Sequence, residues 1–155
     1  MWTDHYHDDA AAAAPMGASA GMGGGGYVAQ GAPQEALNPV GYWKKVMLEN
    51  YTNFSGRARR AEYWWAYLIN LAVIVVLFII GGVIGDAGMV LPLLYILAAL
   101  LPMVASVVRR LHDTGKSGWY YFISLVPFVG GIILLVFLAT DSDRGPNQYG
   151  PSPKY

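Results

Sequence analysis

The chain has 155 residues, 55% of them apolar and only 13% charged, a balance outside that of soluble domains and one that points to lipid. Ten Lys and Arg offset ten Asp and Glu, so the charge balance carries no footprint for a nucleic-acid partner. With no cysteine, a disulfide framework, a thiolate zinc site and a cysteine nucleophile are all excluded.

Residues 1–40 carry Ala10 to Ala14, Pro15 and Gly23 to Gly26 with no apolar periodicity, the composition of a disordered tail. Asp4, Asp8 and Asp9 at its start argue against a secretory signal, which needs a basic start and an apolar run. His5 and His7 among those carboxylates offer loose metal chemistry, but two imidazoles on a flexible segment must overcome an ordering cost. The cluster is therefore read as solvated tail, and no metal or cofactor is assigned. Residues 41–155 read as one polytopic membrane domain.

Trp43, Val46, Met47 and Tyr51 share one side of a helix, with Lys44, Lys45 and Glu49 elsewhere, which predicts a short interfacial helix before the first span. Leu48 breaks that pattern, so a helix packed on the next segment is the alternative. Asn53 to Gly56 reads as a turn, with Ser55 as N-cap of the helix after it.

The first span covers about 64–84, long enough for a hydrocarbon core of about 30 Å. Arg57, Arg59 and Arg60 precede it and oppose the helix dipole, so Glu62 or lipid phosphates must compensate. Tyr63 and Trp64 form an aromatic belt, with Trp43 and Trp119 as further interfacial aromatics. Asn70, alone in its polarity within this span, hydrogen-bonds either to another helix or within its own.

Gly81 to Gly88 predicts a tight turn, and the second span covers about 89–108. Pro102 inside it removes a backbone hydrogen bond, leaving a carbonyl for Ser106 or a neighbouring helix to satisfy. The third span covers about 119–139 and is expected to cross as one kinked helix. Pro127, Gly130 and Gly131 leave a broken hairpin as the alternative. The fold class is thus an all-α membrane protein with three transmembrane helices. Five Lys and Arg precede the first span, three lie between the second and third, two lie in the tail and none lies in the first turn, which predicts a cytoplasmic N-terminus.

Three motifs stand out: Phe54-x-Gly56-Arg57-x-x-Arg60-x-Glu62-Tyr63-Trp64, Arg109-Arg110-Leu111-His112-Asp113-x-Gly115-x-Ser117-Gly118-Trp119, and Gly145-x-Asn147-x-Tyr149-Gly150-Pro151. Together they resemble the YhaH-like bacterial inner-membrane proteins, a domain of unknown function (DUF 805), over about Gly41 to Pro153. The resemblance implies a small multi-pass plasma-membrane protein and no established activity.

His112 beside Asp113 invites a catalytic reading, but neighbouring side chains diverge, and no nucleophile elbow, P-loop or zincin motif appears. The expectation is a non-enzymatic protein. The spans hold no Asp, Glu, Lys, Arg or His, which argues against ion-coupled transport, though a subunit of an oligomeric small-solute channel or transporter remains the alternative. The candidate site is Arg57, Arg60, Glu62, Arg109, Arg110, His112, Asp113 and Lys116, gathered at one membrane face to bind anionic lipid headgroups or a membrane partner. Glu62 and Asp113 are expected to pair with arginines of the opposite motif, Arg60 with Asp113 among them. A thin bundle of this kind also suggests a homo-oligomer or another membrane protein as partner.

Overall fold

The computed structural model describes residues 34–155. Residues 1–33, with the Asp4 to Asp9 cluster and most of the expected tail, lie outside them.

The first helix, α1, runs Pro39–Lys44 and continues as a π-helical turn, Lys45–Glu49. Asn38 caps it by accepting from Gly41 N at 2.6 Å, and Pro39 at its start gives up no needed N–H. It buries Tyr42, Val46 and Met47 and leaves Leu48 exposed, and it packs chiefly on α2.

Helix α2, Arg60–Ile84, has 25 residues; at 1.5 Å each it is about 37 Å long and exceeds a hydrocarbon core of about 30 Å. Only 11% of its apolar window is buried, which separates it from the core helix of a soluble protein. Ser55 does not cap it: the helix begins five residues later, because Ala58 N–H donates to Arg109 O at 3.0 Å and holds the intervening chain extended.

A 3-10 turn, Asp86–Met89, leads to α3, Val90–Asp113. Gly81 and Gly88 bring their backbones together there, and a Cβ on Gly81 would stand 2.7 Å from Gly88 O. Among the described residues, α2 and the Asp86–Asp113 stretch are the two helices long and apolar enough to cross a membrane. Pro102 withdraws the N–H that would have met Ala98 O, and Tyr51 supplies it instead, its hydroxyl donating at 2.6 Å. Ser106 was the other expected donor, but its hydroxyl has no partner among the described residues.

The third apolar segment is not the single kinked helix expected over 119–139. A 3-10 helix, Gly118–Leu125, ends in a turn, and α4, Gly130–Ala139, runs back. Gly118 lies against Val108, while Arg110 donates to Leu138 O and Thr140 O, so both ends of the segment meet the C-terminal end of α3. Pro127 forces Val126 into extended backbone, and Phe128 turns the chain at φ 66°. Gly130 then passes so near that a Cβ would stand 1.8 Å from Ile123 O.

Among the described residues no strand forms; a lone bridge joins Asn147 and Gly150 in the tail. Tyr63, Val107, Leu111, Leu134 and Leu138 form the buried apolar core, close to the end where the motifs meet.

Candidate functional site

Arg57 sits in the extended segment before α2 and donates all of its guanidinium N–H groups. Nε reaches Asp113 Oδ1 at 3.0 Å, Nη2 reaches Asp113 O and Asp143 O at 3.0 and 2.8 Å, and Nη1 reaches Gly145 O and Gly150 O at 2.8 and 3.2 Å. One side chain thereby ties the first motif to the second and to the tail. Arg57 is buried, so this full set of partners is what makes its burial tolerable.

Asp113 is the shared acceptor. Besides Arg57 it receives Arg110 Nη1 and the Ser142 hydroxyl on Oδ2. Arg110 also donates to Leu138 O at 3.0 Å, Ala58 O at 3.3 Å and Thr140 O. All three side chains of these two ion pairs are fully inside, which leaves Arg57 and Arg110 unable to reach lipid. The expected Arg60–Asp113 pair is corrected: Arg60 is exposed and pairs with Asp141 at 3.3 Å, because the extended chain before α2 puts Arg57 at the end of α3 instead.

Glu62 joins α2 to α3 through Arg109 Nη1 at 2.5 Å and to the π-turn through Lys45 Nζ at 2.8 Å. Arg109 Nε and Nη2 are buried and have no partner among the described residues. Lys45, Arg57 and Arg109 line a 540 Å³ cleft between the π-turn and the tail, with Asn50, Ser55 and Tyr149 on its walls and no carboxylate.

His112 takes no part in the ion pairs. Its Nδ1 must carry the proton, since it meets the Gly56 carbonyl at 3.0 Å, and its ring stacks on Tyr149 at 3.7 Å. Asn147 Nδ2 donates to His112 O at 2.9 Å. The Lys116 ammonium donates to Thr114 and lies 4.9 Å over the Phe137 ring, apart from the cluster.

Of the interfacial aromatics, Trp43 donates its indole N–H to Asn70 Oδ1 at 3.3 Å, and Tyr63 is buried edge-on against Trp64 at 5.3 Å. Trp119 is exposed. Asn70 satisfies both expected arrangements, donating to Ala66 O in its own helix and accepting from Tyr95 on α3 at 2.5 Å.

A second clamp closes the C-terminus. Asp141 accepts two bonds from Lys154 Nζ at 2.8 Å and one from Tyr155 at 2.9 Å. These donors, Lys154 foremost, hold the Asp141 carboxyl well below its ordinary range, and Asp141 in turn raises the Lys154 ammonium.

Residues 51–151 match the family described as Protein of unknown function (DUF805). The chain belongs to this family. Inner membrane protein YhaI of Escherichia coli (strain K12) is 45% identical over 113 residues, 73% of this chain and 96% of that protein. Inner membrane protein YhaH of the same strain is 40% identical over 116 residues, 72% of this chain and 96% of that protein. No solved structure matches the chain. With two helices apolar enough to span and relatives named for the inner membrane, this DUF805 chain is a membrane protein of an uncharacterised family.

Within the DUF805 fold, the three motifs recognised in sequence form one lattice, and the tail motif is its outer wall. Sequence reasoning placed six of the eight site residues where side chains converge, and missed Lys45, Asp141, Ser142 and Tyr149. The signal for Tyr149 lay in the Gly-x-Asn-x-Tyr-Gly-Pro motif itself, where turn residues frame one aromatic. Lys45 gave none, being one lysine of an adjacent pair.

Proposed function

We propose that this is a multi-pass inner-membrane protein without enzymatic activity, whose motif face lies in the cytoplasm and binds anionic lipid headgroups. In this topology α2 and α3 cross, the 118–139 segment is a re-entrant hairpin, α1 lies at the interface, and both termini share the cytoplasmic side. Support for the hairpin comes from Arg110, which holds Leu138 and Thr140 at the end of α3. Support for the orientation comes from the Lys and Arg residues, none of which lies in the 85–89 turn.

The observation that carries the headgroup reading is Arg109, a buried guanidinium beside a carboxylate-free cleft with two nitrogens unpartnered among the described residues. Its neighbours argue for binding and against catalysis: Asp113 and His112 are engaged by the fold itself and Glu62 is held by Arg109 and Lys45, leaving no positioned base beside a nucleophile among the described residues.

Native mass spectrometry of purified protein tests this, with anionic lipid retained by wild type and reduced in Arg109→Ala. Equal retention would remove the headgroup reading, and solute flux in proteoliposomes would replace it with a channel or transporter subunit. A reporter at Tyr155 tests topology independently: fluorescence of a green fluorescent fusion is expected, and activity of an alkaline phosphatase fusion would overturn the hairpin.

A further inference from the structure

Taking the headgroup reading one step deeper, and resting on it, we infer that the cleft between the π-turn and the tail is a seat for a phosphate group. Its receptor edge is Arg109. Nη1 of that guanidinium is held by Glu62, and the two nitrogens without partners among the described residues are Nε and Nη2. Those two lie on the same side of the planar guanidinium with parallel N–H bonds, the fork that grips two oxygens of one oxyanion, on a residue that lines the cleft.

Charge and oxygen count select phosphate over a carboxylate. A carboxylate has only the two oxygens the fork consumes. A phosphate has others to offer, and the same cleft is lined by Lys45 and by the hydroxyl-bearing Ser55 and Tyr149. Lys45 is partly exposed and already leans on Glu62, so a bound phosphate can draw its ammonium without breaking the Arg109 pair.

The seat exists only while the tail is folded, because Tyr149, Gly150 and Pro151 form one wall and Arg57 holds that wall through Gly145 O and Gly150 O. Occupancy and docking of the tail are therefore linked: a ligand that needs the wall stabilises the state in which it is present.

The test compares full-length wild type with Arg109→Lys, which keeps the charge facing Glu62 but loses the fork, and Lys45→Gln. Lys44→Gln and Lys116→Gln are surface-charge controls outside the cleft. Two probes are used on each protein: retention of phosphatidylglycerol by native mass spectrometry, and binding of inorganic phosphate followed by phosphorus NMR. Thermal unfolding confirms that each variant is folded.

A lipid source is shown by phosphatidylglycerol retention falling about tenfold in Arg109→Lys and Lys45→Gln, the worth of one charge-assisted hydrogen bond, with the controls unchanged. A free source is shown by the same loss for inorganic phosphate while lipid retention does not move, and then the headgroup reading fails while the seat stands. If neither probe responds to the cleft variants, the seat is overturned. Should lipid retention instead fall in the Lys44 and Lys116 variants, the headgroup reading survives without it.

Discussion

The Tyr149 ring lies flat on the His112 imidazole, 3.7 Å between centroids and 4° from parallel. This stack joins the tail to the end of α3 beside the bonds from Asn147 Nδ2 to His112 O and from Asp143 N to Asp113 O. Removing it by Tyr149→Ala should cost about 0.5 to 1.5 kcal/mol and loosen the tail. Limited proteolysis is expected to cut the variant near Gly145 faster than wild type, and unchanged cleavage would show that the polar bonds of Arg57, Ser142 and Asn147 hold the tail without the stack.

Asp113→Asn should be among the most damaging single changes, at about 3 to 5 kcal/mol, since it leaves Arg57 and Arg110 buried with no carboxylate between them. Arg60→Gln is expected to cost at most about 1 kcal/mol, because its pair with Asp141 is nearly half exposed on both sides. Thermal melts in one detergent rank the two directly. Equal losses would contradict the difference in burial.

The bond from Tyr51 to Ala98 O answers to Pro102, which makes a double-mutant cycle informative. Tyr51→Phe should cost about 1 to 3 kcal/mol in the native background by orphaning the Ala98 carbonyl within an apolar helix. In a Pro102→Ala background the restored N–H takes that carbonyl, and the cost should shrink. Additive effects would mean that Tyr51 acts through packing.

Gly130→Ala places a methyl carbon 1.8 Å from Ile123 O and must force the two arms of the hairpin apart, whereas Gly131→Ala meets nothing within 4 Å. The first is expected to lower the melting temperature by several degrees for each kcal/mol of strain, and the second to leave it unchanged. A tolerant Gly130→Ala would require arms more widely separated than those seen.

The Asp141–Lys154 clamp sets a pH window for the C-terminus. The lowered carboxyl of Asp141 contributes above its unfolded value of about 3.9 and loses that contribution as the pH falls through its folded value. The raised ammonium of Lys154 contributes below about 10.4 and loses it as the pH rises through its folded value. Protease resistance of the last residues should thus hold between about pH 5 and pH 10 and weaken outside it, and Lys154→Gln should flatten the dependence at both ends.

Legibility in sequence followed the range of the forces involved. The two long helices were readable because twenty successive apolar residues leave backbone groups no partner but their own helix. That Glu62 and Asp113 would pair across motifs followed from charge, but which arginine met Asp113 did not, since it depends on Ala58 donating to Arg109 O and so holding Arg57 outside the helix. The hairpin was open to either reading because Pro127, Gly130 and Gly131 suit a kink as well as a turn. The reach of Arg110 to Leu138 O and Thr140 O and the approach of Gly130 to Ile123 O distinguish them. The tail was read as loop from its turn residues, and its docking surface, a ring and three backbone carbonyls, leaves no periodic trace.

Arg57 is made long before two of the carbonyls it holds, those of Gly145 and Gly150, which lie 88 and 93 residues further along the chain. At synthesis rates of about 5 to 20 residues per second, that interval is about 5 to 20 s. Throughout it the apolar segments are already emerging while the arginine at their threshold is incompletely bonded. Docking of the tail is therefore placed after the apolar segments have emerged, on the side where Arg57 waits. A chain halted before Gly145 should insert in the bilayer yet be recognised there as unfinished.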